Sequence, residues 1–591
     1  MATLMVVVGI AAEYTTTVNR LVQRTTNSQK AVALADATIE QLFANWRAIC
    51  RATPTSPLPT NSFGSVPLPT SSQLNMPSVT NFAKAGTLTD LSDEYDSNYT
   101  VSNVKIVAVD GTLRPLSGGA GTPPTPAVGM SQTGVTNTTA ASYNYIASAD
   151  VTLPALKGNV VAKVRRVFSK QQLSPWNWAI FYVDPLEIHP GPPFTVTGWV
   201  HTNFNLYTAH NTLTFADKVT YASDWFNAFM PGDGQHPETP TTPTWVSNLP
   251  PARDNALQPF GLDSTAIFST TDGNPNNDSY QELIQIPVAG SPDPMATSRY
   301  WNQASVAIKV DAGNTVTIGQ PNSNGTITPF ATTDPLYQMF SGAITTNQTI
   351  QDNREAAQVR LVTLDVSRLE NNTSGFSPTY KASGFNGILF IYDSSNSSSL
   401  RRGVRLVNGT KIPSMGLTIA SPNPLYIKGD YNTGGNPPSN GSPSDPTTPQ
   451  VAGYTRAPCA VIADAVNILS SSWVDANSYA GTGSRVATNT TVNSAILAGI
   501  VPTAPPGGDG SYSGGAENFP RFLEDWSHSI LTYYGSMVEL YRSQQSIGEW
   551  GKANVYVPPT RHWYFDKNFK VRPPPGSLMV YAYVKGRWSL Q

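Results

Sequence analysis

The sequence predicts a mainly β protein carrying one long N-terminal α-helix, and three observations lead there. After the apolar run Met1–Ala12, residues 13–51 contain neither proline nor glycine. From about Asn98, apolar and polar residues alternate with period two. Beyond that, short apolar runs separated by Gly, Asn, Pro and Asp recur to the end of the chain. Such runs fit a parallel β-solenoid-like large domain with loop-rich insertions, or alternatively a β-sandwich.

The helix is predicted first. Val18, Leu21, Thr25, Ser28, Val32, Ala35, Ile39, Leu42, Trp46 and Ile49 follow one another at three- and four-residue steps. That is a heptad-like seam with one small polar interruption. Its apolar tip is about half the ~20 residues that cross a bilayer. A secretory signal, a buried core helix and the back half of a membrane helix beginning upstream of Met1 all remain open for this tip. The third is the reading we carry forward, with Val18, Leu21, Val32, Ala35, Ile39, Leu42 and Trp46 as an assembly interface. On that reading, Leu42→Asp abolishes co-assembly and leaves the β domain folded.

The segments that follow divide by composition. Residues 1–52 form the membrane and assembly helix, and 53–97 a Pro/Ser/Thr-rich linker that proline holds extended. Residues 98–224 form the first β-rich part, with strands at Tyr99–Asp110, Tyr143–Leu153 and Val160–Phe168. In the last of these, Ala162, Val164, Arg166 and Phe168 share one face. Residues 225–402 read as a loop-rich β insertion, with strands at Gln281–Pro287, Gln303–Val310, Gln358–Val366 and Gly387–Tyr392. Residues 403–591 form the C-terminal β-rich part, where Glu517–Trp526 is predicted as a short amphipathic helix on the sheet.

Three groups of residues carry a family resemblance. The first is the helix Leu4–Arg51, with Ala31-Val32-Ala33-Leu34-Ala35-Asp36-Ala37 late in it. The second is Phe181-Tyr-Val-Asp-Pro-Leu-Glu-Ile-His-Pro-Gly191, followed by Gly198-Trp-Val-His-Thr-Asn203 and Asn205-Leu-Tyr207. The third is the pair of phrases GVRLVNG and NPLYIKGDYN near residues 403–432. Together they resemble the PilX-type minor pilins of type IV pilus assembly. The given chain lacks that family's Gly-Phe cleavage site and early glutamate, and Glu13 is not assigned the latter's role. The resemblance implies a bacterial envelope protein with a membrane-associated helix and a periplasmic or extracellular β domain. Its implied partners are other pilin-like subunits and the membrane. Separately, the Trp and Tyr content offers a stacking strip for a surface glycan, although core packing accounts for most such aromatics.

Composition narrows the chemistry. The 591 residues carry a formal net charge of −2, with 13% charged residues, 39% hydrophobic and 10% aromatic. Near-neutrality gives no electrostatic footprint for nucleic acid. Cys50 and Cys459 are the only cysteines, and whether they pair is open from sequence. No phosphate loop, nucleophile elbow, His-Glu-x-x-His or paired-cysteine motif occurs. His201 and His210 are close enough to meet one ligand, yet corner histidines bonded to backbone are far commoner. Asp217, Asp430 and Asp464 lie in or beside strands, so a glycosidase-like pair is the sharp reading and ordinary turn acids the bland one. The Asp272–Asp278 loop with Glu282 offers alternating oxygens, but a plain Asx-rich turn accounts for it. The expectation is therefore a non-enzymatic protein with no catalytic residues, metal or cofactor. A surface-anchored β-solenoid that binds or cleaves polysaccharide is the alternative.

Overall fold

The computed structural model describes residues 2–52, 99–109, 113, 127–128, 141–153, 159–233, 239–246, 250–259, 268–370, 384–395, 400–434, 456–503, 513–551, 553–570, 573–578 and 580–590. The linker predicted at 53–97 lies outside them. Helix α1 runs unbroken from Ala2 to Ala52. Among the described residues, no helix is long and apolar enough to cross a membrane.

The second half of α1 lies on an antiparallel sheet. Its strands, in spatial order, are Thr100–Val109, Ala141–Leu153, Val160–Leu173, Val580–Leu590 and Gln258–Pro259. The period-two pattern decides which face the helix covers. Ala162, Val164 and Phe168 are buried against it, while Val161, Lys163 and Arg165 point to solvent.

Between Leu173 and Val580 the chain builds the rest of the β structure. Strands Ile180–Tyr182, Val200–Thr202 and Val219–Tyr221 stack in parallel, each directly over the last. Leu186–Ile188 with Leu206–Thr208, and Phe194–Val196 with Leu213–Phe215, stack the same way on two further sides. Val200 sits over Ile180 and Val219 over Val200, so one coil takes 20 and then 19 residues. Ile180, Leu186, Phe194, Val200, Leu206, Leu213 and Val219 all point into one core. Aromatic rings also stack between coils, Phe215 on Trp245 at 4.6 Å and Tyr207 on Phe226 at 4.9 Å.

Further along, the chain alternates between two facing sheets. Ile388–Asp393, Leu417–Ala420, Cys459–Ala463, Thr490–Ala498 and Ile530–Glu539 pair in parallel in one. Ala357–Asp365, Arg401–Val407, Leu425–Lys428, Val466–Leu469 and Pro520–Phe522 pair in parallel in the other. Val316–Pro321 and Ile344–Asp352 join these sheets antiparallel, so the sheets are mixed and the domain is not a plain parallel solenoid. Nor do the compositional boundaries at 224 and 402 interrupt the sheets. Val219–Tyr221 pairs with Ala252–Arg253, and Ala357–Asp365 with Arg401–Val407, across them. The strands of 225–402 are built into the central sheets.

Two predicted elements differ. Gln281–Pro287, expected as a strand, is replaced at its start by a 3-10 turn, Tyr280–Leu283, capped by the Ser279 side chain. Tyr280, Leu283 and Ile284 are all buried on one core, a three- and four-residue spacing that a strand cannot satisfy. Glu517–Trp526, expected as a helix, holds a 3-10 turn at Ala516–Asn518 and then strand Pro520–Phe522. Its aromatic spacing is met differently, because the exposed edge of Val466–Leu469 takes the segment as its next strand. Cys459 is a buried free thiol, while the Cys50 side chain lies outside the described residues.

Candidate functional site: a helix seam half covered by its own sheet

The seam on α1 is continuous in sequence but divided in its surroundings. Ala31, Ala35, Thr38, Ile39, Leu42, Phe43 and Trp46 are buried. Trp46 sits among Phe43, Tyr145, Phe168 and Tyr583, with ring centroids 5.4–5.9 Å away. Polar contacts hold the helix at this place. Glu40 accepts from Arg166 at 2.8 Å and from Lys585 at 2.6 Å, and Asp36 accepts from the Trp588 indole at 3.1 Å. Such partly exposed pairs add little energy singly but fix the helix's rotation on the sheet.

The other half is open. Every residue from Val8 to Thr26 is exposed, a stretch of roughly 28 Å at helical rise. It shows Ile10, Tyr14, Val18, Leu21 and Val22 to the outside, with Leu21 67% and Val18 38% exposed. Thr15, Thr16, Thr17 and Thr25 turn their hydroxyls back onto the carbonyls four residues earlier, at 2.7–3.0 Å. Their methyl groups then lie outermost, and the polar atoms are satisfied within the helix. Three consecutive threonines cannot share one face, but Thr25 lies beside Val18 and Leu21, so that side can be buried without stranding its hydroxyl.

The structure thus separates the seven residues taken from the sequence as an assembly interface. Ala35, Ile39, Leu42 and Trp46 are fully covered by the chain's own sheet, and Val32 is partly buried beside them. Only Val18 and Leu21 remain open to a partner. The expectation for Leu42→Asp changes accordingly, because a charge at that position enters the molecule's own core. Heptad spacing cannot distinguish an intramolecular seam from an intermolecular one. The missing information is the sheet strand Val580–Leu590, which meets the helix from the far end of the chain.

The other candidates are accounted for by structural bonds. The His201 ring bridges Thr220 and Asn203 at 2.8 and 3.0 Å and stacks on Phe181. Burial pushes its pKa down to about 4. His210 occupies a left-handed corner (φ 80°) and packs on Phe229, so the two histidines do not form one site. Asp217 accepts from the Gly198 amide at 2.8 Å, one coil below. Asp430 accepts from the Thr491 amide at 2.7 Å. Asp464 accepts from the amides of Gln544, Gln545 and Ser546 at 2.6–3.0 Å. Each of the three acids is committed to a different backbone segment rather than to a shared cleft. In the Asp272–Asp278 loop, Asp272 accepts from Asn274 and Asn277, Asn276 ties to Val288, and Glu282 pairs with Arg299. The oxygens of that loop close an Asx turn.

Several buried acids share one electrostatic consequence. Glu539 is buried, and burial, reinforced by the Asp184 carboxyl, holds it well above the usual carboxylate range. Burial raises Asp464 as well, against the opposing pull of its three amide bonds. Above pH about 4.5 the unfolded chain releases these protons while the folded one retains them, so stability falls as pH rises. The urea midpoint is expected to be lower at pH 8 than at pH 5, and Glu539→Gln to reduce that difference. An equal or steeper pH dependence in the variant would remove Glu539 as a cause.

No protein-family model and no curated protein matches this sequence. A solved structure that aligns with it is the competence-associated pilin ComZ from Thermus thermophilus, at 12% identity. The alignment covers 96% of this chain and 98% of that one, with a TM-score of 0.25. At that score the likeness carries no argument about fold or activity.

Proposed function

We propose that this chain is a non-enzymatic, pilin-like subunit of the bacterial envelope. The projecting half of α1 packs against other pilin-like subunits of a type IV pilus or pseudopilus, and the large β region is carried outside. The observation that carries this reading is the single seam whose second half is covered by the chain's own sheet and whose first half is exposed among the described residues. A helix that only closed a core would end where the sheet ends. This one continues for about five turns with the same apolar spacing and self-satisfied threonines. The PilX-type phrases in the sequence support the same reading, in which the β region serves assembly or adhesion, and its aromatic content suits a glycan ligand.

Cysteine substitutions test the reading in cells that make the full chain. Val18→Cys and Leu21→Cys are expected to cross-link to neighbouring subunits, whereas Leu42→Cys is not. The double variant Val18→Asp/Leu21→Asp is expected to abolish co-assembly while changing stability by less than about 0.5 kcal/mol, as is usual for exposed positions. Absence of adducts at both 18 and 21, or normal assembly of the double variant, overturns the proposal.

A further inference from the structure

Away from α1, three side chains that could ligate a metal converge where the first coil meets a later turn. Glu187 lies in strand Leu186–Ile188, His189 follows it, and Asp233 comes from the turn after Met230. One ligand atom from each lies within 4.8 Å of the other two. His189 Nδ1 and the Asp233 carboxylate are 3.7 Å apart, with side chains 2% and 5% exposed. Glu187 Oε1 accepts a 2.6 Å hydrogen bond from the Thr503 hydroxyl. Its other oxygen, Oε2, is buried and has no hydrogen-bond partner among the described residues. A small cavity bounded by Tyr182, Glu187, Met230, Thr503 and Gly515 adjoins that carboxylate. A second acid, Glu517, also faces this region and accepts from the His189 amide at 3.3 Å.

A buried carboxylate oxygen without a donor is costly unless something positive meets it. No lysine or arginine is paired with Glu187 among the described residues. The donor set is one imidazole nitrogen and two carboxylates. Calcium and magnesium favour all-oxygen shells, whereas zinc takes nitrogen and oxygen together from three protein groups and leaves a fourth position open.

We propose that Glu187, His189 and Asp233 bind one divalent transition-metal ion, Zn²⁺ in preference to Ca²⁺ or Mg²⁺, which fastens the 230–233 turn to the first coil. Sequence spacing hides the set, since Asp233 lies far downstream of the Glu187-x-His189 pair.

The test uses the full chain, stripped with a chelator, exchanged into chelator-free buffer and titrated calorimetrically with ZnCl₂, CaCl₂ or MgCl₂. One Zn²⁺ per chain and a higher melting temperature with zinc are expected, with neither response to calcium or magnesium. Glu187→Gln keeps an oxygen for the Thr503 hydroxyl, so it is expected to fold without metal. Its zinc affinity is expected to fall at least ~10-fold, the lower bound for loss of even a supporting group at a metal site. His528→Ala removes an exposed histidine and is expected to bind zinc normally. No saturable zinc binding by the parent chain, a calcium affinity equal to zinc's, or undiminished binding by Glu187→Gln overturns the proposal. The outcome is independent of α1 and its partners.

Discussion

Trp46→Ala is expected to destabilise the seating of α1 on its sheet by about 3–5 kcal/mol, the usual cost of removing a buried large aromatic side chain. Trp46 is fully buried and touches rings from the helix itself, from strands Ala141–Leu153 and Val160–Leu173, and from Val580–Leu590. No neighbour can fill so large a space without moving several others. The effect should be local: amides of α1 beyond Lys30 and of Val580–Leu590 lose protection from hydrogen exchange, while those of the coils keep theirs. Leu42→Asp is expected to act in the same way, for the different reason that it buries an unpaired charge. Unchanged exchange in both variants would mean that the helix is held by something other than this cluster.

Glu355→Gln is expected to cost about 3–5 kcal/mol, because it leaves the buried Arg521 guanidinium without its counter-charge. Glu355 sits in the turn joining Ile344–Asp352 to Ala357–Asp365, with only 3% of its side chain exposed. It accepts from Arg521 at 2.6 Å and Arg401 at 2.8 Å, and takes the amides of Ile547 and Gly548 as well. Burial alone would raise its pKa, but Arg521, with help from Arg354 and Arg401, outweighs burial and holds the carboxyl below its usual value. Its contribution is therefore present above the unfolded carboxyl value and is lost as pH falls through the folded one. This sign is opposite to that of Glu539. Chemical denaturation at pH 7 measures the loss, and a variant within 1 kcal/mol of the parent would show that the cations find other partners.

Local pattern decided what was legible in the sequence. The unbroken α1 and the alternation of Val160–Phe168 each follow from residues within one element, and both are present as expected. Around Glu282 the three- and four-residue apolar spacing is met by a 3-10 turn, and around Phe522 a helix-like spacing is overridden because the strand Val466–Leu469 takes the segment as its neighbour. The same holds for the seam. Its periodicity is local, but its division into covered and open halves depends on where Phe168 and Tyr583 arrive. The Glu187–His189 pair was visible as a phrase, whereas its convergence with Asp233 required the stacking of coils to be known.

The strand Val580–Leu590 has a further consequence for how the protein is made. It lies beside Val160–Leu173 although some four hundred residues separate them. At typical translation rates, roughly 20–80 s pass between the emergence of the two from the ribosome. Throughout that interval the greasy flank of α1 has only part of its eventual seat, and Trp46 waits for Tyr583. The seat of α1 is thus complete only when the far end of the chain has been supplied.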